Sequence, residues 1–87
     1  MKLKDLVHEL EKQEDPRFRH VAGAIGKMAE RYKAGSMTEK DFQAKMETLI
    51  HLLEIYGLKE KIKYKVAAQM VEDFFKMVIV KGISSLI

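Results

Sequence analysis

Residues 35–58 read Gly35-Ser36-Met37-Thr38-Glu39-Lys40-Asp41-Phe42-Gln43-Ala44-Lys45-Met46-Glu47-Thr48-Leu49-Ile50-His51-Leu52-Leu53-Glu54-Ile55-Tyr56-Gly57-Leu58. Thr38 followed by Asp41 has the spacing of a capping box, in which hydroxyl and carboxylate each accept a backbone N–H at a helix start. Phe42, Met46, Leu49, Ile50 and Leu53 then recur at helical spacing and mark one buried stripe. From Leu49 onward the segment is apolar on more than one side, through Leu52, Ile55 and Tyr56. A helix apolar nearly all round is central or lies at an interface. Gly57 is placed to end it, with Leu58 folding back on Leu53 as in a Schellman termination. The stretch therefore predicts a helix over 39–56, preceded by a stop at Gly35.

The flanks extend this pattern. Asp15-Pro16 is a boundary: the carboxylate caps the next helix, and proline suits a first helical position that needs no N–H. A helix over 16–34 follows, with Phe18, Val21, Ala22, Ile25, Met28, Ala29 and Tyr32 on its apolar side. Gly23 and Gly26 lie inside it, each costing about 1 kcal/mol against alanine, which predicts close approach of another backbone. Before the boundary, Leu3, Leu6, Val7 and Leu10 define a helix over 2–14. Its acidic end, Glu14-Asp15, opposes the helix dipole and predicts fraying. After Gly57, a helix over 59–80 carries Ile62, Val66, Met70, Val71, Phe74 and Val78. Lys59, Lys61 and Lys63 in its first turn oppose the dipole, which calls for acidic offset from the third helix or for a ligand. The piece Met77-Val78-Ile79-Val80 is also β-prone, so residues 81–87 read as a short strand or an unwound tail.

The expected fold is all-α: a small four-helix bundle with short connections, in one domain spanning 1–87. At 87 residues the chain has little interior for its surface. Its third and fourth helices nevertheless present apolar groups on several sides. This predicts a homodimer through the C-terminal half, with Leu49, Leu53, Met70, Phe74, Phe75 and Val78 as apolar anchors.

Composition narrows the function classes. Charged residues are 33% and hydrophobic residues 47%, as in ordinary globular domains, so disorder is not expected. There is no cysteine, which excludes disulfides, thiolate zinc sites and a cysteine nucleophile. No apolar run reaches the ~18 residues of a membrane span. The first residues alternate in charge without a signal-peptide core, so a cytoplasmic location is expected. The apolar tail could lie on a membrane surface, but burial against the bundle needs no further partner, and membrane association is not expected.

The net charge of +3 is unevenly distributed. Residues 1–15 carry −2, residues 16–35 carry +4, residues 36–57 carry −2 and residues 58–87 carry +3. Alternating blocks can attract across neighbouring helices, or the two basic blocks can share a face that meets a polyanion. In the second case Arg17, Arg19, Lys27, Arg31, Lys61, Lys63 and Lys65 would contact phosphates without strong base readout. Lys61 and Lys65 share a face at i, i+4, where like charges repel. The third helix is too acidic for a groove-reading helix, since Glu39, Asp41 and Glu47 lie along it.

Catalytic patterns are weak. His8 with Glu11, and His51 with Glu54, place imidazole and carboxylate on one helix face. Di-metal bundles use the reverse Glu-x-x-His order and further inward glutamates, so surface pairing is the reading and no metal or other cofactor is expected. No serine sits in a Gly-x-Ser-x-Gly elbow. Gly23-Ala24-Ile25-Gly26-Lys27 matches neither phosphate-binding glycine pattern and lies within a helix. The chain therefore reads as no enzyme.

Ile25, Met28, Tyr32, Ala34 and Gly35, followed by Thr38, Glu39, Phe42, Ala44, Lys45 and Leu49, resemble the helical hairpin of the SHOCT (short C-terminal) family. The resemblance covers 26 of 87 residues. That hairpin usually ends a longer protein, whereas here residues 51–87 follow it. The resemblance implies an interaction or oligomerisation hairpin and carries no catalytic residues. The expected function is a small helical adaptor that self-associates through its apolar C-terminal helices, with a nucleic-acid accessory role as the alternative.

Overall fold

Two glycine-terminated helices set the frame, in a computed structural model that describes residues 1–87. Thr38 Oγ1 accepts the Asp41 N–H at 3.1 Å, and the Asp41 carboxylate accepts the Thr38 N–H at 3.4 Å. The expected capping box thus starts helix α3, Glu39–Ile55. At its other end the Leu58 N–H donates to the Leu53 carbonyl and the Gly57 N–H to the Glu54 carbonyl, the two bonds of a Schellman motif. The motif needs a left-handed residue, and Gly57 supplies φ +68°. The same bond pattern closes helix α2, Pro16–Lys33, from Ser36 to Arg31 and from Gly35 to Tyr32. Asp15 caps α2 as expected, its carboxylate accepting the Arg17 N–H at 2.9 Å.

The outer helices are displaced from their expected bounds. Helix α1 is Leu3–Glu11 and stops short of residue 14. The residue before a proline is held out of the helical region, so the turn must open before Asp15. Helix α4 is Ile62–Lys81 and begins three residues later than the pattern suggested. The Schellman stop and the turn after it occupy residues 57–61.

Around the ring, α1 packs on α2 and α4, and α3 packs on α2 and α4. Phe18 and Tyr64, with ring centroids 5.3 Å apart, join α2 to α4 across the diagonal. The core takes Leu6 and Leu10 from α1, Phe18, Val21 and Ile25 from α2, Phe42, Met46 and Leu53 from α3, and Val71, Phe74 and Val78 from α4. No polar or charged residue is buried with them. The radius of gyration is 12.2 Å, close to the ~12 Å of a compact chain this long. The bundle thus closes its own core within one chain.

Residues 77–80 are helical, because Val78 is needed in the core and the strand tendency yields to that packing. The tail is neither strand nor unwound. Gly82, at φ 82° and ψ 152°, turns the chain into a 3-10 turn over Ile83–Ser85. Ile83 and Leu86 enter the core. Glu39 accepts the Ile83 N–H at 2.9 Å, and the Leu86 carbonyl accepts the Leu3 N–H at 2.8 Å. The expected backbone approach at Gly23 and Gly26 does not occur, since a Cβ at either position would meet nothing within 4 Å. Gly23 is exposed, and Gly26 is half-buried on the flank of α2.

Candidate interaction surfaces

Helix α4 carries two apolar stripes. At 100° per residue, Ala67, Val71, Phe74 and Val78 share one side, and Ile62, Val66, Met70, Met77 and Val80 fall within an arc of about 80° whose centre lies about 110° round the helix from the first. The first stripe is buried. On the second, Ile62 is 91% exposed, Val66 72% and Val80 81%. The apolar residues expected along this helix, Ile62, Val66, Met70, Val71, Phe74 and Val78, thus divide between two sides. Ala67 and Ala68 face inward with Val71, Phe74 and Val78. Asp73 is the one charged residue within the outer arc, and its carboxylate accepts a hydrogen bond from Gln69 at 3.0 Å.

The six expected anchors divide. Leu53, Phe74 and Val78 are buried in the chain's own core, so a partner docking on the folded bundle does not reach them, and Leu49 is buried there too apart from a narrow edge, 7% exposed. Met70 and Phe75 are half-buried and pack against that core while keeping an outer edge. Periodicity identified an apolar helix here but did not identify its outward residues.

The seven expected phosphate contacts also divide. Arg17 makes two charge-assisted bonds to Asp15, at 3.0 and 2.6 Å, and its guanidinium lies 5.1 Å from the Tyr56 ring centre. Those bonds, with the Arg17 backbone N–H, hold the Asp15 carboxyl down to about 2. Lys61 adds to the positive field at Asp15. Lys63 pairs with Glu14 and lowers that carboxyl as well. Arg19 donates to the Glu14 carbonyl at 3.3 Å. Lys65 lies beside Val66 and Asp73 on the outer side of α4. Lys27 and Arg31 line a separate groove between α2 and α3. The seven therefore do not form one continuous face. The offset for the lysines around the start of α4 comes chiefly from Glu14 and from Glu72 paired with Lys59, with a smaller contribution at Lys59 from Glu54 of the third helix.

The largest groove, about 560 Å³, lies between α3 and α4 and includes Glu47, Thr48, His51, Glu72 and Phe75. Three of its polar groups are engaged in ordinary structural contacts. Glu72 pairs with Lys59, Thr48 Oγ1 donates to the Ala44 carbonyl at 3.2 Å, and His51 Nδ1 lies 3.4 Å from Glu54 on the exposed side of α3. No group of three His, Asp or Glu side chains is placed to hold a metal ion, and no helix is long and apolar enough to cross a membrane.

The groove between α2 and α3, about 380 Å³, has a different lining. Lys27, Arg31 and Lys45 surround Ala24, Met28, Met37, Thr48 and Leu49. Lys45 was not among the expected cations. Its sequence signal was its place four residues before Leu49 on α3, but only the hairpin brings it opposite Lys27 and Arg31. No protein family, no curated protein and no solved structure matches this chain.

Proposed function

We propose that this protein is a small helical interaction module, not an enzyme, that self-associates through the outer side of α4. The observation that carries the reading is the second apolar stripe, Ile62, Val66, Met70, Met77 and Val80, on a bundle that already closes its own core. Full burial of one such side chain is worth roughly 1.5–3 kcal/mol, and exposed apolar groups in a continuous row mark association surfaces. A two-fold antiparallel pairing of α4 centred between Gln69 and Met70 sets Ile62 opposite Met77 of the second copy. The same register sets Lys65 near Asp73, so the charge within the stripe gains a partner twice. The SHOCT-like hairpin of α2 and α3 is consistent with an interaction role.

Sedimentation velocity over a concentration series tests this. The wild type forms dimers as concentration rises, and Val66→Glu stays monomeric with unchanged helicity because residue 66 contributes nothing to the core. Lys65→Asp weakens the dimer, and adding Asp73→Lys restores it. A wild type that remains monomeric at millimolar concentration would end this reading.

A further inference from the structure

We propose that the groove between α2 and α3 binds an acidic amphipathic helix of a partner protein. Three cations border the groove and no carboxylate lines it. None of Lys27, Arg31 and Lys45 takes part in an ion pair, whereas Arg17, Lys59 and Lys63 all do. The floor is apolar and sits where the core is least covered. Met28, Met37 and Leu49, at 6%, 8% and 7% exposure, are its three least buried members, and all three line this groove. Cationic walls over an apolar floor fit a ligand that is anionic on its flanks and apolar along one side.

The spacing points to a helix. Lys27 and Arg31 are one helical turn apart, and Ala24 to Arg31 spans about 10 Å, or two turns. Carboxylates at i and i+4 of a docked helix match that repeat, and apolar anchors at i, i+3 and i+7 reach the two methionines and Leu49. Methionine, flexible and polarisable, adapts to such anchors. Nucleic acid fits less well, since the lining holds no aromatic side chain on which a base could stack. Gly23, exposed one turn before Lys27, keeps this end of α2 low. The groove does not include the outer stripe of α4, so the proposal is independent of self-association.

The test uses the full chain and a fluorescein-labelled synthetic helical peptide with leucines along one side and glutamates on both flanks. Anisotropy at about 50 and about 200 mM salt follows binding. The expected result is micromolar affinity that weakens with salt, and weakening by about tenfold or more on Lys45→Glu. Lys4→Glu makes the same change of charge on α1, away from the groove, and leaves affinity within about twofold. Replacing the peptide's leucines by glutamine also weakens binding, and Val66→Glu, which breaks the proposed dimer, leaves it intact. Three results would each overturn the proposal: no binding at low salt, equal loss for Lys45→Glu and Lys4→Glu, or tighter binding of a single-stranded oligonucleotide than of the peptide.

Discussion

Replacing Gly23 and Gly26 by alanine should make the protein more stable. Glycine in a helix interior costs about 1 kcal/mol against alanine, because the unfolded chain has more freedom to lose. That gain survives only where the new methyl group fits. Here a Cβ at either position meets nothing within 4 Å, and both residues lie inside α2, well away from its ends. No steric term opposes the backbone gain, and about 2 kcal/mol is expected for the pair. With an unfolding entropy of about 2.1 cal/mol/K per residue, 87 residues give about 180 cal/mol/K, so 1 kcal/mol raises Tm by about 5 °C. The double variant should melt about 10 °C higher, and each single variant about half as much higher. Circular dichroism at 222 nm, at one low protein concentration for all four proteins, reads this directly and avoids a shift from self-association. An unchanged or lower Tm would refute the reasoning, because it would mean that α2 bends at these glycines or that something covers them in solution.

Other predictions concern the tail and the α2 cap. Gly82→Ala should destabilise the fold by about 1–3 kcal/mol, since its Cβ would stand 2.9 Å from Glu39 Oε1 at a φ of 82°. Faster amide exchange at Leu3 and Ile83 would locate that loss at the tail, and an unchanged urea midpoint would contradict it. Asp15→Asn keeps a capping oxygen but loses the charge-assisted bonds to Arg17. The folded Asp15 carboxyl lies near 2, below its ordinary 3.8, so its contribution is full above about pH 4 and fades as pH falls through 2. The gap in urea midpoint between wild type and Asp15→Asn should therefore narrow from about pH 6 to about pH 2, and a constant gap would show that Asp15 acts through its cap alone.

Much of the fold was legible because local chemistry marks where helices begin and end. Thr38 with Asp41, Asp15 with Pro16, and Gly57 with Leu58 each carry a hydrogen-bonding requirement that tertiary packing did not alter. The interior assignment of α4 was less legible. When both sides of a helix are apolar, periodicity fixes a helix but not which side turns inward. Here the small Ala67 and Ala68 are buried while the larger Ile62 and Val66 are exposed, the reverse of what hydrophobicity alone would choose. Residues 81–87 were illegible for another reason: their order rests on Glu39 and Leu3, partners more than forty residues away. The α2–α3 groove follows the same rule, since Lys45 becomes part of a charged wall only once the hairpin has closed.

The bond from the Leu3 N–H to the Leu86 carbonyl gives the bundle a nearly circular chain. Residues 87 and 1 can be joined by a short linker without moving α1 or the last turn, and new ends can be opened at the exposed turn around Ser36. A permuted protein that starts at Thr38 would keep all four helices, with α4 joined to α1 through the linker and α2 no longer connected to α3. In this architecture the order of the helices along the chain is separable from their arrangement in space. A fusion made at residue 1 or at residue 87 would emerge from the same corner of the molecule.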